Sequence, residues 1–185
     1  MKRNKKQLMK VEGKHITIRK LKLSDANDIY KNVNHKDIVR WTKSIPYPYL
    51  KDGAGKFIRQ TYSEMRTKKS FIFGITLPDT DKVIGIVSLI RINWENKDAE
   101  LGYWIGKRYW NKGYTTEAAK LIIGYGFRNL KLHRIHAVYI APNKASGKVM
   151  EKAGLRKEGI SREAYYKNSW HDLVSYAILA KEYKK

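Results

Sequence analysis

Glu100-Leu-Gly-Tyr-Trp-Ile-Gly-Lys-Arg-Tyr-Trp-Asn-Lys-Gly-Tyr-Thr-Thr-Glu-Ala118 reads as an apolar, aromatic strand, then a basic glycine-containing loop, then the opening of a helix. Such a loop turns backbone N–H groups toward a bound anion. The helix behind it adds the unpaired N–H groups of its first turn and the positive end of its dipole. Lys107, Arg108 and Lys112 set cationic side chains around the same turn, and Gly113 permits a close backbone approach that a Cβ would block. The stretch is therefore expected to be a phosphate cradle behind a strand, with a plain strand-to-helix connection as the alternative. It is not a Walker loop, because Gly-Lys-Ser/Thr is missing, nor a dinucleotide fingerprint, because Gly-x-Gly-x-x-Gly is absent.

Elements follow outward from this stretch. Residues 15–20 alternate as a strand, and Ser24 is placed to cap a helix that runs to about Val33. Pro46 and Pro48 make 44–49 a loop, after which Leu50, Ala54, Phe57, Ile58, Thr61, Tyr62 and Met65 recur at helical spacing. The apolar runs 71–77 and 83–92 flank a turn at 78–82, and a further turn at 93–97 leads to a strand over 98–105. Beyond the loop come a long helix over 115–130, a strand over 134–140 and a helix over 144–153 stopped by Gly154. Closing strands are expected at 155–162 and 171–180. Strand, loop, helix and strand over 98–140 form a parallel crossover, expected right-handed. The fold class is thus α/β (α+β), with a mixed sheet of about seven strands and helices on both faces. One domain over 14–181 is expected, preceded by a basic arm over 1–13.

Composition narrows the chemistry. With no cysteine, disulfides, thiolate metal sites and a cysteine nucleophile are all excluded. His133 and His136 flank a strand without a partner cluster, so no metal site is expected. The first 14 residues are too polar for a signal peptide and the apolar runs are strand-length, which points to a cytoplasmic protein with no membrane contact. Thirty-nine Lys+Arg against 17 Asp+Glu give a net charge of +22, hence a positive field over much of the surface. Attraction to RNA, a ribosome or an acidic protein is one reading of that excess; a lysine-rich proteome is the other. No nucleic-acid-reading motif accompanies it.

A second segment about thirty residues on, Asn143-Lys-Ala-Ser-Gly-Lys-Val-Met-Glu-Lys-Ala-Gly-Leu-Arg-Lys-Glu-Gly159, joins the first. Together they resemble the GNAT superfamily of acyl-CoA-dependent N-acetyltransferases, whose pyrophosphate loop Gln/Arg-x-x-Gly-x-Gly/Ala falls here on Trp110-Asn111-Lys112-Gly113-Tyr114-Thr115. Trp110 in the first slot, Glu117-Ala118, the Asn-x-x-Ser run and the tail from Arg162 to Tyr176 are similar to the ribosomal-protein N-terminal acetyltransferases, the Rim type. The resemblance spans about 15–180. It implies a GNAT fold with a mostly antiparallel twisted sheet and two parallel strands splayed to admit pantetheine. It implies acetyl-CoA as co-substrate, with Trp104, Ile105 and Gly106 at the thioester, Trp110, Asn111, Lys112, Gly113, Tyr114 and Thr115 in the cofactor-binding loop, Asn143 contacting the cofactor, and Ser146 hydrogen-bonding its sulfur and returning the proton.

Glu100 is the leading general base, through a water, with a sheet-edge salt bridge as the alternative. Asn143 and Ser146 are otherwise read as helix caps. Three slots depart from the family pattern: Met150 replaces a common acid tyrosine, Leu155 a phenylalanine, and Thr115 a small residue. Methionine donates no proton, so the acid is Ser146, a water or another tyrosine. His171 and Asp172 are expected to order the final hairpin, while Trp94, Tyr165 and Tyr166 either line the acceptor entrance or pack. At pH 7 an α-amine is about one-tenth free base and a lysine amine only about 0.04%. A mild base thus suits a protein N-terminus, and the charge disfavours polyamines. The resemblance implies direct acetyl transfer in a ternary complex, with a ribosomal protein as one acceptor. Alternatives are a small-amine or antibiotic acetyltransferase and a non-catalytic RNA- or ribosome-binding module, as monomer or homodimer.

Overall fold

In the computed structural model, residues 10–183 are described. The chain runs β1 (Lys10–Glu12), β2 (Thr17–Lys20), α1 (Ala26–Val33), α2 (Lys36–Val39), α3 (Gly53–Arg66), β3 (Phe71–Thr76) and β4 (Val83–Asn93). It continues through β5 (Asp98–Ile105), α4 (Tyr114–Asn129), β6 (Arg134–Ile140), α5 (Lys144–Lys152), β7 (Arg156–Tyr166) and β8 (Ser169–Leu179). The strands form one sheet in the order β1-β2-β3-β4-β5-β6-β8-β7, antiparallel everywhere except at β5–β6.

The central strand β3 is buried throughout because helices cover both of its faces. Phe71, Phe73 and Ile75 enter a core with Ala118, Ile122 and Ile123 of α4, while Ile72 enters a second core with Ile29 of α1 and Ile58 of α3. A bulge in β4 between its pairings with Ile75 and Thr76 lets Ile84 face the α4 core although Ile86 faces the other. Arg19, buried on β2, donates to both oxygens of Asp25 at 2.8 and 2.9 Å and to Asp81 at 2.6 Å, tying the β3–β4 turn to the start of α1. Burial by itself would lower the Arg19 pKa, but the two carboxylates outweigh it and hold the guanidinium charged.

The sheet has eight strands instead of about seven. The additional β1 has a single apolar residue, Val11, which pairs with Ile18, and three residues are too few to show a period. It lies in the stretch read from sequence as the basic arm, of which residues 1–9 fall outside the described residues. Ser24 does not cap α1: it sits in a 3-10 turn, and the Asp25 carboxylate accepts the Lys22 N–H instead. Leu50 precedes α3 and is 65% exposed, so it does not share that helix's apolar face. The β7–β8 hairpin is longer than expected, because Lys167 and Asn168 both take positive φ and close it in a two-residue turn. Among the described residues no helix is long and apolar enough to cross a membrane.

Candidate active site

Between β5 and α4 the backbone opens into the expected cradle. Asn111 (φ 60°) and Gly113 (φ 81°) both lie in the left-handed region, and nothing stands within 4 Å of where a Gly113 Cβ would sit. No side chain caps α4, and the first helical bond of the turn runs from Glu117 N–H to Gly113 O at 3.0 Å. The N–H groups of Tyr114, Thr115 and Thr116 therefore have no carbonyl four residues back and face the space beyond the loop. An anionic ligand such as a pyrophosphate fits this arrangement of orphan donors at a positive dipole end. Of the cations around it, Lys107 is committed to Asp37 of α2 at 2.5 Å and Arg108 stacks on Tyr109, whereas Lys112 is exposed. Trp110 acts as an anchor, its indole donating to Ile105 O at 3.0 Å. Glu117 accepts the His15 N–H at 2.9 Å, so this carboxylate pins the β1–β2 turn to α4.

Beside the cradle the parallel strands part. Pairing of β5 with β6 runs from Asp98–Arg134 to Glu100–His136 and stops, although the strands continue to Ile105 and Ile140. Gly106 N–H is already donated to Ile84 O at 2.8 Å. Antiparallel alternation then directs the Trp104 N–H to β4 and the N–H groups of Tyr103 and Ile105 into the gap. Of the three residues expected at the thioester, only Ile105 offers its N–H there.

Side chains alternate across the same strand. Ala99, Leu101 and Tyr103 lie on the α4 side, whereas Trp104 packs with the α1–α3 core and Glu100 shares its face. Across the gap the Tyr103 hydroxyl meets Ser146, 2.9 Å from its Oγ and 3.0 Å from its carbonyl oxygen. Desolvation pushes the Tyr103 phenol up against the opposing pull of the Ser146 hydrogen bond, so it stays protonated. Asn143 caps α5, its side-chain oxygen 3.4 Å from Ser146 N. Met150 is buried in the main core, a packing role. Tyr103 was not singled out in the sequence; strand parity, together with the absent acid tyrosine at 150, is the signal that could have found it.

On the opposite face Glu100 is 17% exposed and accepts a hydrogen bond from Arg91, so the salt bridge considered from sequence is present. Its register partner His136 keeps Nδ1 buried without a hydrogen-bond partner. Tyr166, whose phenol is pushed up by burial and then by the Glu100 charge, stacks edge-on to His171 at 6.5 Å. These two line a cleft of about 330 Å³ with Arg40, Trp41, Lys167 and Ile140. Lys167 reaches from the hairpin turn to the carbonyls of Val39 and Thr42, closing the rim. Tyr165 and Trp170 pair on the other face of the hairpin, 60% and 67% exposed, while the Trp94 indole donates to Lys68 O. Neither belongs to the cleft.

Comparison with known proteins agrees with this geometry. Residues 15–156 match the acetyltransferase (GNAT) domain. The chain is 34% identical over 174 residues to "Probable N-acetyltransferase YjcK" of Bacillus subtilis, covering 91% of this chain and 96% of the relative. It is 33% identical over 111 residues to the ribosomal protein uS5-alanine N-acetyltransferase of Escherichia coli, covering 59% of this chain and 57% of the relative. The crystal structure of the ribosomal-protein-S5-alanine acetyltransferase of Vibrio fischeri superposes with a TM-score of 0.84 at 26% identity, covering 96% of this chain and 100% of that one. A cradle of orphan N–H groups beside a splayed parallel pair, on a chain matched over 15–156, places this protein in the GNAT family of N-acetyltransferases.

Proposed function

We propose that this chain transfers the acetyl group of acetyl-CoA to the N-terminal α-amine of a protein, a ribosomal protein among the acceptors, by direct transfer in a ternary complex. One observation carries this reading: β5 presents Glu100 to one face of the β5–β6 gap and Tyr103, with its partner Ser146, to the other. An amine and a leaving thiolate can thus be served from opposite sides of one carbonyl. The names of the Escherichia coli and Vibrio fischeri relatives support an N-terminal acceptor.

Acetyl-CoA would supply the thioester. The loop N–H groups from Asn111 to Thr115, among them the orphan donors of Tyr114 and Thr115, bind its pyrophosphate, with Lys112 adding charge. Asn143, at the start of α5, would contact the cofactor beside Ser146. Ile105 N–H polarises the carbonyl. Glu100 takes the amine proton through a water as the nitrogen attacks, and the C–S bond breaks as Ser146 returns a proton to sulfur. Tyr103, held protonated, fixes the Ser146 hydroxyl by hydrogen bonding, and solvent restores the serine proton after CoA leaves.

A thiol-release assay over peptide N-termini, spermidine and an aminoglycoside tests the proposal, with mass spectrometry locating the acetyl group. Turnover on peptides with the label at the α-amine is expected. Acetylation of spermidine but of no peptide would overturn it.

A further inference from the structure

The cleft beside Glu100 has an unusual charge balance. Arg40 and Lys167 line it, and the Lys43 ammonium stands 5.8 Å from the Tyr166 ring. Among the described residues no Asp or Glu lines it. Acids outside the cleft have partners of their own: Glu100 with Arg91, Asp172 with the Glu163 N–H at 3.0 Å, and Asp37 with Lys107, though Asp37 also feels the Arg40 charge. Arg40 stacks on Trp41 at 4.6 Å and makes no salt bridge among the described residues, so its guanidinium is presented with its donors free.

Strand register places this cleft on the face from which an acceptor would reach Glu100. Glu100 pairs with His136 and His136 with Ala177, while Ile140 pairs with Leu173 further along the same face. His171 is two residues beyond Leu173, and Tyr166 stacks on it. The cleft floor therefore continues from the catalytic carboxylate along β6 and β8 to the hairpin turn. A chain whose amine lies at Glu100 would run its next residues past Tyr166 and toward Arg40 and Lys167.

Resting on the peptide-acceptor reading above, we propose that the acceptor carries a side-chain carboxylate at its second or third residue, received by the Arg40 guanidinium with the charge of the rim residue Lys167 beside it. A guanidinium with free donors matches a carboxylate bidentately, and Trp41 and Tyr166 bound the site with aromatic faces that lower the local dielectric. A lysine at those positions would meet like charge.

Three octapeptides differing only at residues two and three (Asp-Glu, Ala-Ala, Lys-Lys) test this by initial rates of CoA release. In the unaltered protein kcat/KM should fall in that order, by at least about tenfold from the first to the last. Arg40→Glu should level or invert the series with acetyl-CoA affinity unchanged. Arg40→Gln, a milder change, should reduce it. Lys157→Glu on the exposed edge strand β7 lowers the net charge equally without touching the cleft, and should leave the series intact. Equal turnover of all three peptides, or equal loss in Lys157→Glu, would overturn the local carboxylate site while leaving peptide acetylation standing. Turnover of no peptide would overturn both.

Discussion

The cradle and the Tyr166 cleft lie on one sheet and are built by opposite means. The cradle is backbone: a left-handed Asn111, a left-handed Gly113 and the first turn of α4, all within a few residues. The cleft is side chains gathered from three separated stretches, around Arg40, Ile140 and Lys167. Backbone donors are indifferent to which side chains surround them, so the cradle can serve one ligand throughout a family. A cleft of side chains can be re-lined by loop substitutions without disturbing the sheet.

Large effects should come from breaking either half, and the cradle can be broken alone. Gly113→Glu places a Cβ on a left-handed residue, costing about 1–2 kcal/mol, and sets a carboxylate against the pyrophosphate. Acetyl-CoA affinity by isothermal titration should drop by about 100-fold, which at 1.4 kcal/mol per decade exceeds the backbone strain. An unchanged affinity would mean that the cradle binds nothing. Breaking the acceptor side alone gives the converse. Glu100→Gln should cut kcat by about 10²–10³ and leave acetyl-CoA affinity intact, and retention of full kcat would remove Glu100 as the base.

The seam between the halves is Tyr103–Ser146. Ser146→Ala and Tyr103→Phe should each lower kcat by about tenfold, and the double variant should be little worse than either, because both sit in one hydrogen bond. Additive losses would show that the two act separately. The smallest effect falls on the scaffold that both halves share. Desolvation raises the Asp81 pKa, but Arg19 and Lys22 outweigh it and hold the carboxyl below its 3.8 reference. A depressed acid contributes stability above its unfolded pKa and loses it as pH falls through the lower folded value. Below about pH 4 the melting temperature of the parent should therefore fall more steeply than that of Asp81→Asn. Parallel curves would show that the Arg19 network does not couple to pH.

The sequence was most legible where chemistry is local. The Gly113 turn, the α4 start and the β5 strand could be read because φ > 0, missing carbonyl partners and a two-residue period are properties of neighbouring residues. Ser24 was misassigned because the neighbouring Asp25, held by the Arg19 guanidinium, takes the Lys22 N–H and closes a competing turn. The strand β1 escaped because its pairing energy comes from β2 and not from its own pattern.

By itself, then, the sequence determined the family, the mixed sheet and the cradle, since each depends on residues adjacent in the chain or on a period within one element. The tertiary structure alone decided three things: that Gly106 N–H is spent on Ile84, that Tyr103 meets Ser146, and that Arg40 and Lys167 line one cleft on the Glu100 side of the sheet. The first two depend on which strands pair and in what register, where a one-residue slip would send the group to the other face. The third depends on how the α2 end and the β7–β8 turn pack against the sheet.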